Sequence, residues 1–189
     1  MNIFYLDHDP RECARMHCDQ HVRKMMLEYA QILSTAIHLK LKFRNHWGKI
    51  YKPTHQNHPS VRWAAETLAQ YDWLYLLWVN LHDEYIYRFG KNHKSFVDLN
   101  QYLSDAPFYY NVDGVMFNPP PQVMPEEYKK PGFPVIGYRN YYIHEKSRFA
   151  TWTRREPPMW FLQGVKKNGY KLPEDIRIEG NAPASRRAG

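Results

Sequence analysis

The sequence predicts a mainly α, single-domain bundle of three long helices and one short helix, wrapped by a long proline-rich coil. Apolar residues recur at helical spacing through 10–40 and 59–89. Helix-starting and helix-stopping residues bracket those stretches. Seven prolines crowd 106–134 (107, 119, 120, 121, 125, 131 and 134), which rules out a regular element there. With 189 residues, 43% of them hydrophobic, the chain suits one domain with a real core.

Residues 1–7 are apolar but alternate poorly, and read as a short strand or an extended lead-in packed on the bundle. Asp9-Pro10-Arg11-Glu12 starts the first long helix: Asp9 suits the N-cap, Pro10 the first helical position, and Glu12 completes a capping box. No Gly or Pro interrupts the stretch up to Lys40. A loop over about 43–58 follows, long enough to suggest function. Pro59 opens the second long helix, with Asn57 or His58 ahead of it, and Gly90 ends it; a kink or division within it is compatible with the pattern. Ser95-Phe96-Val97-Asp98 reads as a capping box for a short helix to about Leu103. The last long helix is expected over 135–152. The helical domain spans 1–163, and 164–189 reads as a basic polar tail.

The richest stretch runs from Cys18 to Glu28. On a helix, His17, His21, Lys24 and Glu28 are spaced by four, three and four and share a face. An apolar stripe of Cys18, Val22, Met25, Tyr29, Ile32 and Ala36 anchors the other side. A base, an amine and a carboxylate thus ride on one rigid element. The plain alternative is a solvated face with a structural Lys24–Glu28 pair. As chemistry, Glu28 suits a general base or electrostatic stabiliser, a desolvated Lys24 an amine nucleophile, and His21 a phosphate ligand or proton carrier.

The charge distribution points to a polyanionic partner. The net charge is +7, and no carboxylate lies between Glu28 and Glu66. That window holds Lys40, Lys42, Arg44, Lys49, Lys52 and Arg62, with His38, His46, His55 and His58. Nucleic acid is the expected partner, and double-stranded, damaged or modified DNA the expected form. The candidate contacts are Lys52, His55, His58, Arg62, Arg139, Tyr142, Lys146 and Arg148, with Arg154 and Arg155 as further cations and Trp47, Tyr51 and Tyr138 as further rings. Free N–H groups at the Pro59 helix start suit a phosphate.

Other classes lack support. No apolar run approaches the ~20 residues of a membrane span, and Met1–Asp7 is not a signal peptide, so a cytoplasmic protein is expected. Cys13 and Cys18 on one helix would be ~7.5 Å apart in rise, beyond a disulfide, which suggests reduced thiols. Cys13, His17 and His21 share a face, but Cys13 and His21 would lie ~12 Å apart along the axis. A zinc site would need ligands from the loop, such as His55 or His58, so no metal and no cofactor are assigned. No phosphate-binding glycine loop or nucleophile elbow appears.

Asp19-Gln20-His21-Val22, with Glu28 seven residues after the histidine, resembles the small α-helical pyrimidine-dimer DNA glycosylases of the phage endonuclease V type. Asn57-His58-Pro59-Ser60 and Tyr138-Arg139-Asn140-Tyr141-Tyr142 belong to a wider pattern shared with short basic phage-type proteins. The resemblance implies DNA repair by a base-excision glycosylase with abasic-site lyase activity on damaged pyrimidines, in the host cytoplasm if phage-encoded. It gives Glu28 the catalytic carboxylate role and His21 an orienting or phosphate role. The family's nucleophile is the α-amine of a small residue exposed by removal of Met. Here the second residue is the bulkier Asn2, and Leu27 stands where the family has arginine. Three amines therefore remain candidates: Met1, Asn2 and Lys24. The alternative functions are a DNA-base modifying transferase and a non-catalytic nucleic-acid-binding protein.

Overall fold

The computed structural model describes residues 1–41, 48–105 and 117–171. Among these the chain is helical throughout, without strands. The elements are α1 (Pro10–Met16), α2 (Asp19–Lys40), α3 (Pro59–Ala64), α4 (Leu68–Phe89), α5 (Lys94–Leu103), α6 (Pro134–Lys146) and α7 (Met159–Lys167), with a 3-10 turn at Glu126–Tyr128. The mainly α class is as expected; the second long helix is divided, as its pattern allowed, but the first is divided too and α7 is additional.

The first division falls at His17-Cys18. Asp9 caps α1 as expected, its Oδ1 accepting from the amides of Arg11 (2.7 Å) and Glu12 (3.1 Å). Glu12 does not close the capping box; its carboxylate takes Arg15 instead, at 2.7 Å. At His17 and Cys18 the backbone is extended. The ends exposed by this break are claimed by distant groups. Arg88 of α4 donates to the carbonyls of Arg15 (2.9 Å) and His17 (2.8 Å), while the Asp19 amide donates to Thr151 O at 2.8 Å. Orphan helix-terminal groups must find such partners. The face on which His17 and His21 were to lie together is therefore not one helix face.

α2 and α4 form the centre of the bundle, with α1 beside α4, and α3 and α5 beside α2. Trp78 of α4 is fully buried and donates to Met26 O of α2 at 2.9 Å. The lead-in is extended, and Ile3, Phe4, Tyr5 and Leu6 are all buried in the core. The second division separates α3 from α4, where Thr67 caps the new start by accepting from the Gln70 amide at 3.2 Å. Gly90 ends α4 at φ 68°, the left-handed conformation that favours glycine. α5 is capped by His93 rather than Ser95: the Ser95 amide donates to His93 Nδ1 at 3.2 Å.

From 117 onward the wrapping coil is tied to the bundle. Trp63 donates to Asn118 O (2.7 Å) and Asn2 Nδ2 to Val123 O (2.7 Å). Gln122 clamps Lys130 through both backbone groups at 2.8 Å. α6 stops at Lys146, short of the expected 152. The expected tail from 164 begins inside α7, whose Val165 is buried. Residues 172–189 lie outside the described residues, as do 42–47 and 106–116.

Candidate functional site

The polar stripe on α2 is longer than the Cys18–Glu28 stretch suggested. It runs His21, Lys24, Glu28, Gln31, Thr35 and His38, alternating steps of three and four along one face. Its distal half holds the loop that precedes α3. Thr35 Oγ1 accepts from the Thr54 amide at 3.2 Å and donates to Gln31 O at 2.7 Å. The ring of His38 bonds Tyr51 O at 3.1 Å. This strap lays the loop along the helix and brings His55 and His58 back toward Glu28. Continuing the same three-four spacing along the sequence would have found it.

Glu28 sits in the middle of the stripe. Its side chain is 17% exposed and its Oε1 lies 3.3 Å from Lys24 Nζ, itself 65% exposed. The charge of Glu28 also acts on the ring of His58, as do His55 and the α-amine of Met1. Met1 is half-buried against the core, and Asn2 is pinned: its Oδ1 lies 2.7 Å from the Tyr138 hydroxyl. Glu28 thus pairs with Lys24, and His58 feels the charges of Glu28, His55 and the α-amine of Met1. His58 is fixed as the N-cap of α3, its Nδ1 accepting from the Ser60 amide at 3.2 Å. Burial first, then the α-amine and His55, lower its pKa against the opposing effect of Glu28. His55 has φ 49°, an uncommon conformation for a non-glycine residue and one that stores strain beside the site.

His21 does not stand free on this surface. It is buried, its ring stacks on Phe4 with centroids 4.2 Å apart, and its Nδ1 bonds the Tyr142 hydroxyl. Burial, then His17, Lys146 and Lys24, lower its pKa to about 2. A ring so held is neutral near pH 7, so it supplies neither a phosphate-binding cation nor a proton carrier there. Its role is to lock α2 to α6 and the lead-in. His17 is likewise internal, with Nδ1 on Cys13 O (2.7 Å) and Nε2 on the Tyr29 hydroxyl (2.9 Å).

The expected nucleic-acid contacts divide into two sets. Lys52, His55, Arg62 and Arg148 are exposed, and His58 and Lys146 are partly so. Arg62 reaches Asn57 Oδ1 at 2.8 Å, and Lys146 lies over the Tyr141 ring, 4.4 Å from its centroid. Arg139 and Tyr142 are a correction. Arg139 is committed to Leu6 O (2.8 Å) and Asp7 (3.1 Å), and Tyr142 is fully buried, so its ring has no face to offer a base. Tyr138 is buried too, and Arg155 is held by Glu84 at 2.6 Å. Lys42, Arg44, His46 and Trp47 lie outside the described residues.

An open cleft lies beyond each end of the Glu28 neighbourhood. One of ≈ 700 Å³ is bordered by Asp19, Gln20, Arg23, Lys24 and Phe149; the other, of ≈ 620 Å³, by Lys40, Arg62, Trp63, Glu66 and the prolines at 59, 119 and 121. Lys24 and Lys40 are about 24 Å apart along α2.

The weighed metal ligands are engaged elsewhere. Cys13 Sγ donates to Phe4 O (3.1 Å) and accepts from the Leu6 amide (3.3 Å), and both cysteines are free and buried. Burial pushes their thiols up, to about 12 for Cys13 and about 11 for Cys18. Among the described residues no three His, Cys, Asp or Glu side chains converge on a common point. No protein-family model, curated protein or solved structure matches the chain.

Proposed function

We propose that this protein acts on DNA as a base-excision glycosylase with abasic-site lyase activity, working on damaged pyrimidines through an amine and the Glu28 carboxylate. The observation that carries the proposal is the company Glu28 keeps. It pairs with one amine, Lys24, at 3.3 Å and shares the surroundings of His58 with a second, the α-amine of Met1. The resemblance of Asp19-Gln20-His21-Val22 and Glu28 to the endonuclease V type favours the same chemistry. Among the described residues, two cations in each flanking cleft (Arg23 and Lys24, Lys40 and Arg62) outnumber one carboxylate (Asp19, Glu66), a balance that favours a polyphosphate backbone on both sides of the reacting nucleotide.

The amine nitrogen attacks C1′ of the deoxyribose. The C1′–N bond breaks with its electron pair leaving on the base, which takes up a proton. The nitrogen gives up one proton, its lone pair then displaces O4′, which leaves C1′ with the bonding electron pair and takes up a proton as the sugar ring opens, and an N–H iminium forms. Glu28 then removes a C2′ proton, and the 3′ phosphate leaves with the C3′–O electron pair. Water finally releases the amine.

Borohydride reduction during incubation with duplex DNA carrying a pyrimidine dimer or an abasic site is expected to trap a covalent adduct. Peptide mapping of the adduct assigns the nucleophile among Met1, Asn2 and Lys24. Glu28→Gln is expected to slow strand cleavage by ~10²-fold or more, the usual effect of removing a positioned base. No adduct on either duplex would overturn the proposal. Adducts and cleavage unaffected by Glu28→Gln would remove the carboxylate from it.

A further inference from the structure

His58 is held in a way that a helix cap alone does not require. The Ser60 amide is a donor, so the Nδ1 atom that receives it at 3.2 Å carries a lone pair and no proton. A neutral ring in that state carries its proton on Nε2. Nε2 has no hydrogen-bond partner among the described residues. Protonating the ring would set an Nδ1–H against the Ser60 N–H. The α-amine of Met1 and His55 also oppose a charge there, and only Glu28 favours one; the pKa lies below the ordinary histidine value. His58 therefore presents a neutral N–H donor within electrostatic reach of the Glu28 carboxylate and the α-amine of Met1.

Resting on the glycosylase reading, we infer that His58 donates a hydrogen bond from Nε2 to a carbonyl oxygen of the departing pyrimidine. As the C1′–N bond breaks, its electron pair spreads onto the base carbonyl next to the ring nitrogen. A fixed donor there is worth most in the transition state, where the oxygen gains charge. A neutral imidazole does this without surrendering its proton, and the leaving base takes its proton from solvent. An abasic sugar has no base to release, so His58 has no such task in the lyase step. The inference thus separates the two halves of the reaction at one residue.

Two substitutions distinguish this role from capping. His58→Asn places a favoured cap acceptor at the helix start but nothing where Nε2 was. His58→Gln offers an amide N–H near the Nε2 position and a weaker cap. H58N is expected to melt with the wild type, to release base from a pyrimidine-dimer duplex ~10²-fold more slowly, and to lose far less of its cleavage of an abasic duplex. H58Q is expected to melt lower yet release base faster than H58N. Equal base release by H58N and wild type, or equal loss of both steps, would overturn the donor role. Wild-type protein that traps on the abasic duplex but releases no base would overturn the glycosylase half of that reading and this role with it, leaving the lyase, whereas wild-type base release that H58N matches would overturn this role alone. Failure of the wild type on both duplexes would overturn the glycosylase reading and the inference with it.

Discussion

Asp19 belongs to the motif that suggested catalysis, yet its carboxylate is spent on structure. It accepts from Thr151 Oγ1 (3.0 Å), from the Thr153 amide (2.9 Å) and hydroxyl (2.9 Å), and from Arg88 (3.2 Å). Arg88 has a fully buried side chain and also bonds Glu84 at 3.0 Å. Burial alone would raise the Glu84 carboxyl, but hydrogen bonds and charge from Arg155 and Arg88 outweigh it and hold it lower. Two anions and two cations balance in this network, and the polar atoms are satisfied by backbone as well as side chains. Arg88→Met is expected to destabilise the fold by about 3–5 kcal/mol, the usual cost of breaking a buried ion pair from one side. It orphans the carbonyls of Arg15 and His17 and leaves Asp19 and Glu84 short of a cation. Urea denaturation of the variant checks this. A change under about 1 kcal/mol would mean that water and the threonines replace the guanidinium.

At the scale of elements, α6 and α7 meet through a residue without a side chain. A Cβ on Gly164 would lie 2.3 Å from Ile143 Cδ1 and 2.8 Å from its Cγ1. Gly164→Ala must therefore push Ile143 aside or part the helices, and is expected to cost about 1–3 kcal/mol, read as a lowered melting temperature. α7 was the element least legible in the sequence. It is nine residues long, too short for periodicity to stand out, and its inward positions reduce to Phe161 and Val165. The starts and stops that rest on local chemistry were legible: Asp9-Pro10, Pro59 and Gly90. The break at His17-Cys18 was not, because the groups that stabilise it come from Arg88 and Thr151, far along the chain. The same contrast applies to the site. The spacing of Lys24 and Glu28 was readable from helical geometry, and so was the exposure of Lys52 and Arg62. The burial of His21 and Tyr142 depends on Phe4 threading between helices, which no local pattern announces. The His93 cap was missed because Ser95 offered the more familiar cap beside it, whereas His58 was one of the two candidates ahead of Pro59.

For the whole molecule, two of the three buried histidines among the described residues, His17 and His21, dominate its response to acid. Burial lowers His17 to about 4 and His21 to about 2. An unfolded chain binds a proton at each near pH 6.5, whereas the native state does not until the pH is far lower. The unfolded state therefore holds more protons between these limits, and stability falls as the pH drops. The full contribution is present above pH 6.5. At pH 5 the loss is about 2 kcal/mol for each ring, since both remain neutral in the fold while the unfolded chain is protonated. About 4 kcal/mol is a large share of the 5–15 kcal/mol typical of a domain. His58, His82 and His93 are lowered as well, so they act with the same sign. Urea denaturation at pH 7, 6 and 5 is expected to show stability falling with a slope approaching 1.4 kcal/mol per pH unit for each buried ring. His21→Phe keeps an aromatic face for Phe4 but cannot titrate, and should remove one ring's share of that slope while losing the bond to Tyr142. A variant with the wild-type slope would show that His21 is protonated in the native state, and the packing of α2 against α6 would then have to be reconsidered. Glu28 and Lys24 lie on the outer side of α2, and His58 caps α3, which packs beside it, so acid that loosens the α2–α6 packing is expected to disperse the site as well.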